Sequence, residues 1–167
     1  MRAAVIAALA TLAVAGALVV TLPPWSATTA IPVHFIWAYT AAIVTAWLPI
    51  LIIRRMLHRI ADARPLAEQS PVLASPADID GRVLQNTVEQ TLFWLLASGL
   101  LALSQAHHAA MLLVVHAAVF TVGRTCFWWG YRHRSPLRVY GFGLTFFGSL
   151  AVYLYACSFL LRALILN

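Results

Sequence analysis

Arg82, Asn86 and Glu89 stand at positions i, i+4 and i+7 within an apolar stretch. At about 100° per residue, a helix carries all three within about 60° of one face. Ionisable side chains are costly in a bilayer, so such a stripe calls for a partner or a function. It extends about 10 Å along the helix axis from Arg82 to Glu89, and Thr87 and Gln90 widen it. A purely structural reading is a hydrogen-bond knot that holds helices together in lipid. A second group lies in GRTCFWWGYRHRSPLR, Gly123 to Arg138. There Arg124 and Tyr131 share a face with Phe127, and Gly130 permits close helix approach. Arg124 and Glu89 each lie about two turns inside their own helix ends, which predicts an ion pair that lowers the cost of burying either charge. Trp128 and Trp129 fit an interfacial aromatic belt, and Arg132 and Arg134 fit charges that set topology. Together the two stripes predict a cationic, hydrogen-bonding pocket at one side of a helix bundle, open laterally to lipid. Such a pocket suits a small polar anion whose carboxylates are gripped by guanidinium forks, meeting an apolar co-substrate dissolved in the membrane.

The elements that must position these residues are membrane helices. Hydrophobic residues make up 62% of the 167, charged residues 10%, and mean hydropathy is +0.86, too apolar for a water-facing surface. Five apolar stretches run approximately Ala3–Leu22, Phe35–Ile53, Val83–Leu103, Ala109–Gly123 and Val139–Leu161. Pro23, Pro24 and Pro32 separate the first two, because proline has no amide hydrogen and its ring clashes with the preceding turn. Arg54 to Arg82 is the longest polar stretch and reads as an extramembrane loop, while Ser104 to His108 reads as a brief turn. The fold expected is an all-α membrane bundle of four helices, residues 31–167, preceded by a further hydrophobic helix in residues 1–30. That first segment reads as an uncleaved anchor with an external loop. The small residues Ser26 to Ala30 leave a cleaved secretory signal as the competing reading.

All eleven basic residues are arginine. Nine fall in two blocks, Arg54, Arg55, Arg59, Arg64 and Arg82, then Arg124, Arg132, Arg134 and Arg138. The excess of arginine places both blocks in the cytoplasm and Ser104 to His108 outside, as expected of a multi-pass protein of a bacterial inner membrane. Arginines bracketing apolar spans account for the net charge of +6 through topology and lipid headgroups, so nucleic acid is not an expected partner. Cys126 and Cys157 read as packing residues, with neither a disulfide framework nor a zinc site.

The run RVLQNTVEQTLFW, Arg82 to Trp94, resembles the second-helix signature of the MAPEG superfamily, the membrane-associated proteins of eicosanoid and glutathione metabolism. Gly130 and Tyr131 followed by RSPLR, Arg134 to Arg138, resemble the end of that family's third helix and the arginine opening its fourth. The resemblance covers Phe35 to the carboxyl end. It implies a left-handed four-helix bundle assembled as a homotrimer, with glutathione as co-substrate at the subunit interfaces and a lipophilic small molecule as its electrophilic partner. By position, Arg82, Asn86, Glu89, Arg124 and Tyr131 match the family's glutathione-binding residues. Arg138 matches the catalytic arginine that stabilises the thiolate, as a nearby guanidinium should by lowering the thiol pKa. Phe127 stands where several eicosanoid-forming members have tyrosine, and Val139 follows Arg138 where prostaglandin-forming members have serine. These departures point to a general glutathione transferase or peroxidase acting on lipophilic electrophiles, or to a member whose activity has drifted.

Two further readings compete. Six histidines suggest haem, but bis-histidine ligation needs two at matching depth on facing helices. Only His116 is plainly deep, and a hydrogen bond to a neighbouring helix accounts for it. The other reading is a non-enzymatic membrane subunit or small transporter, which would have no reason to bind glutathione.

Overall fold

The computed structural model describes residues 32–61, 75–104, 106 and 108–166. The expected first helix, Arg2, Arg64 and His107 lie outside the described residues. Two helices make one candidate membrane span: α1, Val33–Thr45, and α2, Trp47–Ala61. The break falls at Ala46, three residues before Pro49, whose missing amide hydrogen leaves the Thr45 carbonyl without its helical partner. The chain then descends through α3, Pro76–Leu103, returns through α4, Ala109–Arg132, and leaves through α5, Leu137–Leu166. No strand occurs among the described residues, and the molecule is an all-α membrane bundle.

The expected loop from Arg54 to Arg82 is shorter than its polarity suggested, because helices invade both ends. At one end α2 runs on to Ala61. At the other, Ser75 caps α3: its hydroxyl accepts from the Asp78 amide at 3.2 Å, the Asp78 carboxylate accepts from the Ser75 amide at 3.0 Å, and Pro76 follows the cap. α3 therefore starts six residues before Arg82. It is as long as the other spans, yet only Val33–Ala61, Ala109–Arg132 and Leu137–Ile165 are both long and apolar enough to cross a membrane among the described residues. The first half of α3 carries Asp78, Asp80, Arg82 and Glu89, and it packs against α1, α2, α4 and α5.

The core forms three layers. Leu101, Leu113 and Ala156 pack near the Ser104 turn, Val44, Trp94 and Phe120 at mid-bundle, and Leu51, Val83 and Phe127 toward the arginine-rich end. Helices already in lipid gain little from further apolar burial, so association rests on close packing and on hydrogen bonds worth about 0.6 kcal/mol each. Both are present. Trp37 Nε1 donates to Ser98 Oγ at 3.1 Å, and His116 Nε2 meets Ser149 Oγ at 3.1 Å, the interhelical bond expected of this histidine. α4 and α5 approach so closely at Gly123 and Gly141 that a Cβ on Gly123 would stand 2.7 Å from Thr145 Cγ2.

Candidate functional site

The arginine-rich end of the bundle is built from the close of α2, the first half of α3, the close of α4 and the start of α5. The reversal between α4 and α5 is fixed locally. His133 N donates to the Trp129 carbonyl and Ser135 N to that of Gly130, while Arg134 takes a left-handed backbone at φ 50°. This pattern is a Schellman ending. Ser135 then turns from terminator to initiator, its hydroxyl accepting from Leu137 N at 3.3 Å with Pro136 between. Gly130 is required here, since a Cβ would stand 2.8 Å from the Arg138 Cα. RSPLR thus has a full conformational explanation that places Arg138 against the end of α4.

Arg124 is 1% exposed and sits between the middle and end core layers. Its Nη1 donates to Asn86 Oδ1 at 2.9 Å and to Thr87 Oγ1 at 3.4 Å, and its Nη2 donates to Thr145 Oγ1 at 3.0 Å. The guanidinium carbon lies 4.4 Å from the Phe127 ring centre. The Phe127 and Tyr131 rings are 5.0 Å apart, and Arg138 lies 5.8 Å from the Tyr131 ring. A ladder of guanidinium, ring, ring and guanidinium therefore joins Arg124 to Arg138 along one face of α4, at distances where cation–π attraction operates. It contains four of the residues singled out in the sequence, Arg124, Phe127, Tyr131 and Arg138, and Asn86 is bonded to its inner end.

The expected ion pair between Glu89 and Arg124 is not formed. Glu89 is exposed, and its Oε1 accepts from Gln85 Nε2 at 3.4 Å. The depth argument failed because α3 begins at Pro76: Glu89 is 13 residues, about 20 Å, inside its helix, whereas Arg124 is eight residues, about 12 Å, inside its own. Asn86, one turn nearer the helix start, is the residue at the level of Arg124. Glu89 points instead into an open groove of ≈ 660 Å³, where Arg55, Arg82 and Gln85 also stand, with Asp78 at its end. Hydrogen bonds from Ser75 hold the Asp78 carboxyl below its ordinary value of 3.8, so it is an anion at neutral pH. Gly81 leaves room for Arg55, because a Cβ there would meet the Arg55 guanidinium at 3.2 Å. The structure thus divides the six expected residues: Arg82 and Glu89 face the groove, Arg124 and Asn86 form an enclosed knot, and Tyr131 and Arg138 close the ladder.

Arg55 and Gln85 are groove residues that the sequence did not single out. Arg55 was masked by its neighbour Arg54, since paired arginines at the end of an apolar run read as topology. Gln85 lies three residues after Arg82 and four before Glu89, and that spacing was the available signal.

The arrangement offers two guanidinium groups and two carboxylates in one groove of the size that takes small molecules. Comparison with known proteins bears on the same region. The model of the MAPEG family matches residues 34–158, which include every residue of the groove and ladder. No curated protein and no solved structure shows a significant match.

Proposed function

Because this chain belongs to the MAPEG family, we propose that it is a membrane-bound glutathione-dependent transferase or peroxidase acting on lipophilic electrophiles. The observation that carries the reading is the groove. Glutathione presents two carboxylates and one ammonium group, and the groove presents two guanidinium groups, Arg55 and Arg82, with the Glu89 carboxylate beside them and the Asp78 carboxylate at its end. Guanidinium forks bind carboxylates in paired, charge-assisted hydrogen bonds, and Glu89 takes the ammonium. Asn86 and Tyr131 serve the tripeptide's amide groups, and Arg124 contributes by holding Asn86 in place. The groove is open on the surface of one chain, and a neighbouring copy in a homotrimer closes it. Arg138 carries the chemistry: its charge favours the thiolate over the thiol, and the thiolate is the nucleophile. The electrophile arrives through lipid, which the apolar flanks of α3 and α5 leave accessible.

In detergent, the unmodified protein should bind glutathione and develop a thiolate absorbance difference. Arg82→Leu should weaken binding roughly 10- to 150-fold, the equivalent of about 1.5 to 3 kcal/mol for one charge-assisted bond. Arg138→Leu should leave the dissociation constant nearly unchanged and lower the single-turnover rate with a generic aromatic electrophile. Equal effects of both substitutions on binding, with no separate effect on rate, would remove Arg138 from catalysis. An unmodified protein that does not bind glutathione would end the enzyme reading and leave a membrane subunit or transporter of the same fold.

A further inference from the structure

A second group of charges lies on the far side of the same helix pair. Arg54 and Arg55 are adjacent in α2 and so project about 100° apart. Arg55 enters the groove described above, and Arg54 turns the other way to Asp80. The Asp80 side chain is 1% exposed, and its Oδ2 lies 3.2 Å from Arg54 Nε and 2.7 Å from His58 Nδ1, close contacts without the alignment of hydrogen bonds. Trp128 is flanked by two cations, with Arg54 at 5.2 Å and Arg132 at 5.7 Å from its ring centre.

Two cavities meet at this cluster and share His58. The smaller, of ≈ 220 Å³, is lined by the ionisable side chains of His58, Asp80 and Arg132 together with Pro76 and Ile79. The other, of ≈ 380 Å³, runs along α2 past Ile50, Ile53 and Leu57 to Arg54 and His58. Ile50, Ile53 and Leu57 are all more than half exposed, on a span whose surface is mostly turned outward. The smaller cavity is short of negative charge: Asp80 is engaged by Arg54 and His58, and Arg132 meets no carboxylate among the described residues.

We propose that this pair of cavities is a binding site for an anionic phospholipid, whose phosphate is held by Arg132 and His58 and whose acyl chain lies along Ile50, Ile53 and Leu57. The charge complementarity and the apolar groove leading from it together select a lipid of the leaflet facing this end of the bundle, because a soluble anion would use the first cavity and leave the second without a role. Arg132 supplies a guanidinium that pairs with no carboxylate among the described residues, a good match for phosphate oxygens. Asp80 is a positioning residue that keeps Arg54 and His58 at the mouth of the groove. The site is separate from the glutathione reading and does not depend on it.

The test uses the full chain purified in a neutral detergent, with dioleoylphosphatidylglycerol as the probe and dioleoylphosphatidylcholine and inorganic phosphate as comparators. Phosphatidylglycerol should remain bound in native mass spectrometry and raise the melting temperature, and phosphatidylcholine at the same mole fraction should do neither. Arg132→Gln and His58→Gln should each lower the apparent affinity for phosphatidylglycerol about tenfold or more, the loss expected for one charge-assisted hydrogen bond. Arg162→Gln, near the opposite end of α5, should leave it unchanged. Phosphatidylcholine binding equally well would overturn the proposal, as would unaltered phosphatidylglycerol affinity in Arg132→Gln. Reproduction of the stabilisation by inorganic phosphate would replace the lipid with a soluble anion and also overturn it.

Discussion

Arg124 is a buried cation that meets neutral oxygens and ring faces instead of a carboxylate. Replacing a buried charge by an apolar side chain of similar volume is often neutral or stabilising, so a guanidinium held in this way is weak evidence for stability and better evidence for a task. A double-mutant cycle separates the possible partners. Arg124→Met and Asn86→Ala should be coupled by about 1 to 3 kcal/mol in detergent melts, because the bond between them is lost once and not twice. Arg124→Met and Glu89→Gln should be additive to within about 0.5 kcal/mol, and Glu89→Gln alone, at an exposed position, should shift stability by no more than that. Strong coupling of Glu89 to Arg124 would contradict the geometry. The residues of the site were legible by type and spacing, but their partners were not. Asn86 and Glu89 differ by one turn of helix, and choosing between them required the true start of α3, which Ser75 and Asp78 set inside a stretch whose prolines and charges resemble a loop.

At the scale of the element, the turn between α4 and α5 gives the most specific expectations. Arg134 occupies a left-handed conformation that costs a residue with a Cβ about 1 to 2 kcal/mol, and glycine adopts it without that cost while losing some of the gain to its freer unfolded chain. Arg134→Gly should therefore raise stability by about 0.5 to 1 kcal/mol. Gly130→Ala should lower it by about 3 kcal/mol, because the added methyl group meets the Arg138 backbone. Thermal melts of the two variants in one detergent give both signs, and a stabilised Gly130→Ala would show that the turn is looser than described. The sequence placed this turn through the resemblance of Gly130, Tyr131 and RSPLR to one helix end and the next helix start, and the local roles of Ser135 and Pro136 emerged only from the structure. The α1–α2 break was less visible: Phe35 to Ile53 is one apolar run in composition, and only Pro49 marked the place.

For the whole molecule, both arginine-rich segments lie at one end of the bundle and the Ser104 turn at the other, as alternation of the spans requires. The orientation follows from the asymmetry of arginine, which predicts that the arginine-rich end is cytoplasmic. In a variant lacking Cys126 and Cys157, Ser104→Cys should react with an impermeant thiol reagent on intact cells, and Arg134→Cys should react only after lysis. The reverse pattern would invert the molecule. How the bundle is assembled was readable in outline from short turns and four apolar runs, Val83–Leu103 of α3 among them, and only the polar first turns of α3, Pro76 to Arg82, were read as loop. The α4–α5 reversal bears on how the protein enters the membrane. From Ser135 to Val139 every backbone amide is either bonded within the turn and its flanking helices or, at Pro136, absent. A turn whose backbone amides are satisfied locally keeps its shape at the membrane surface without help from the other helices. The last two helices can therefore pair as a hairpin before α3 joins them, and the Arg124 guanidinium in α4 gains its Asn86 and Thr87 oxygens only on that joining.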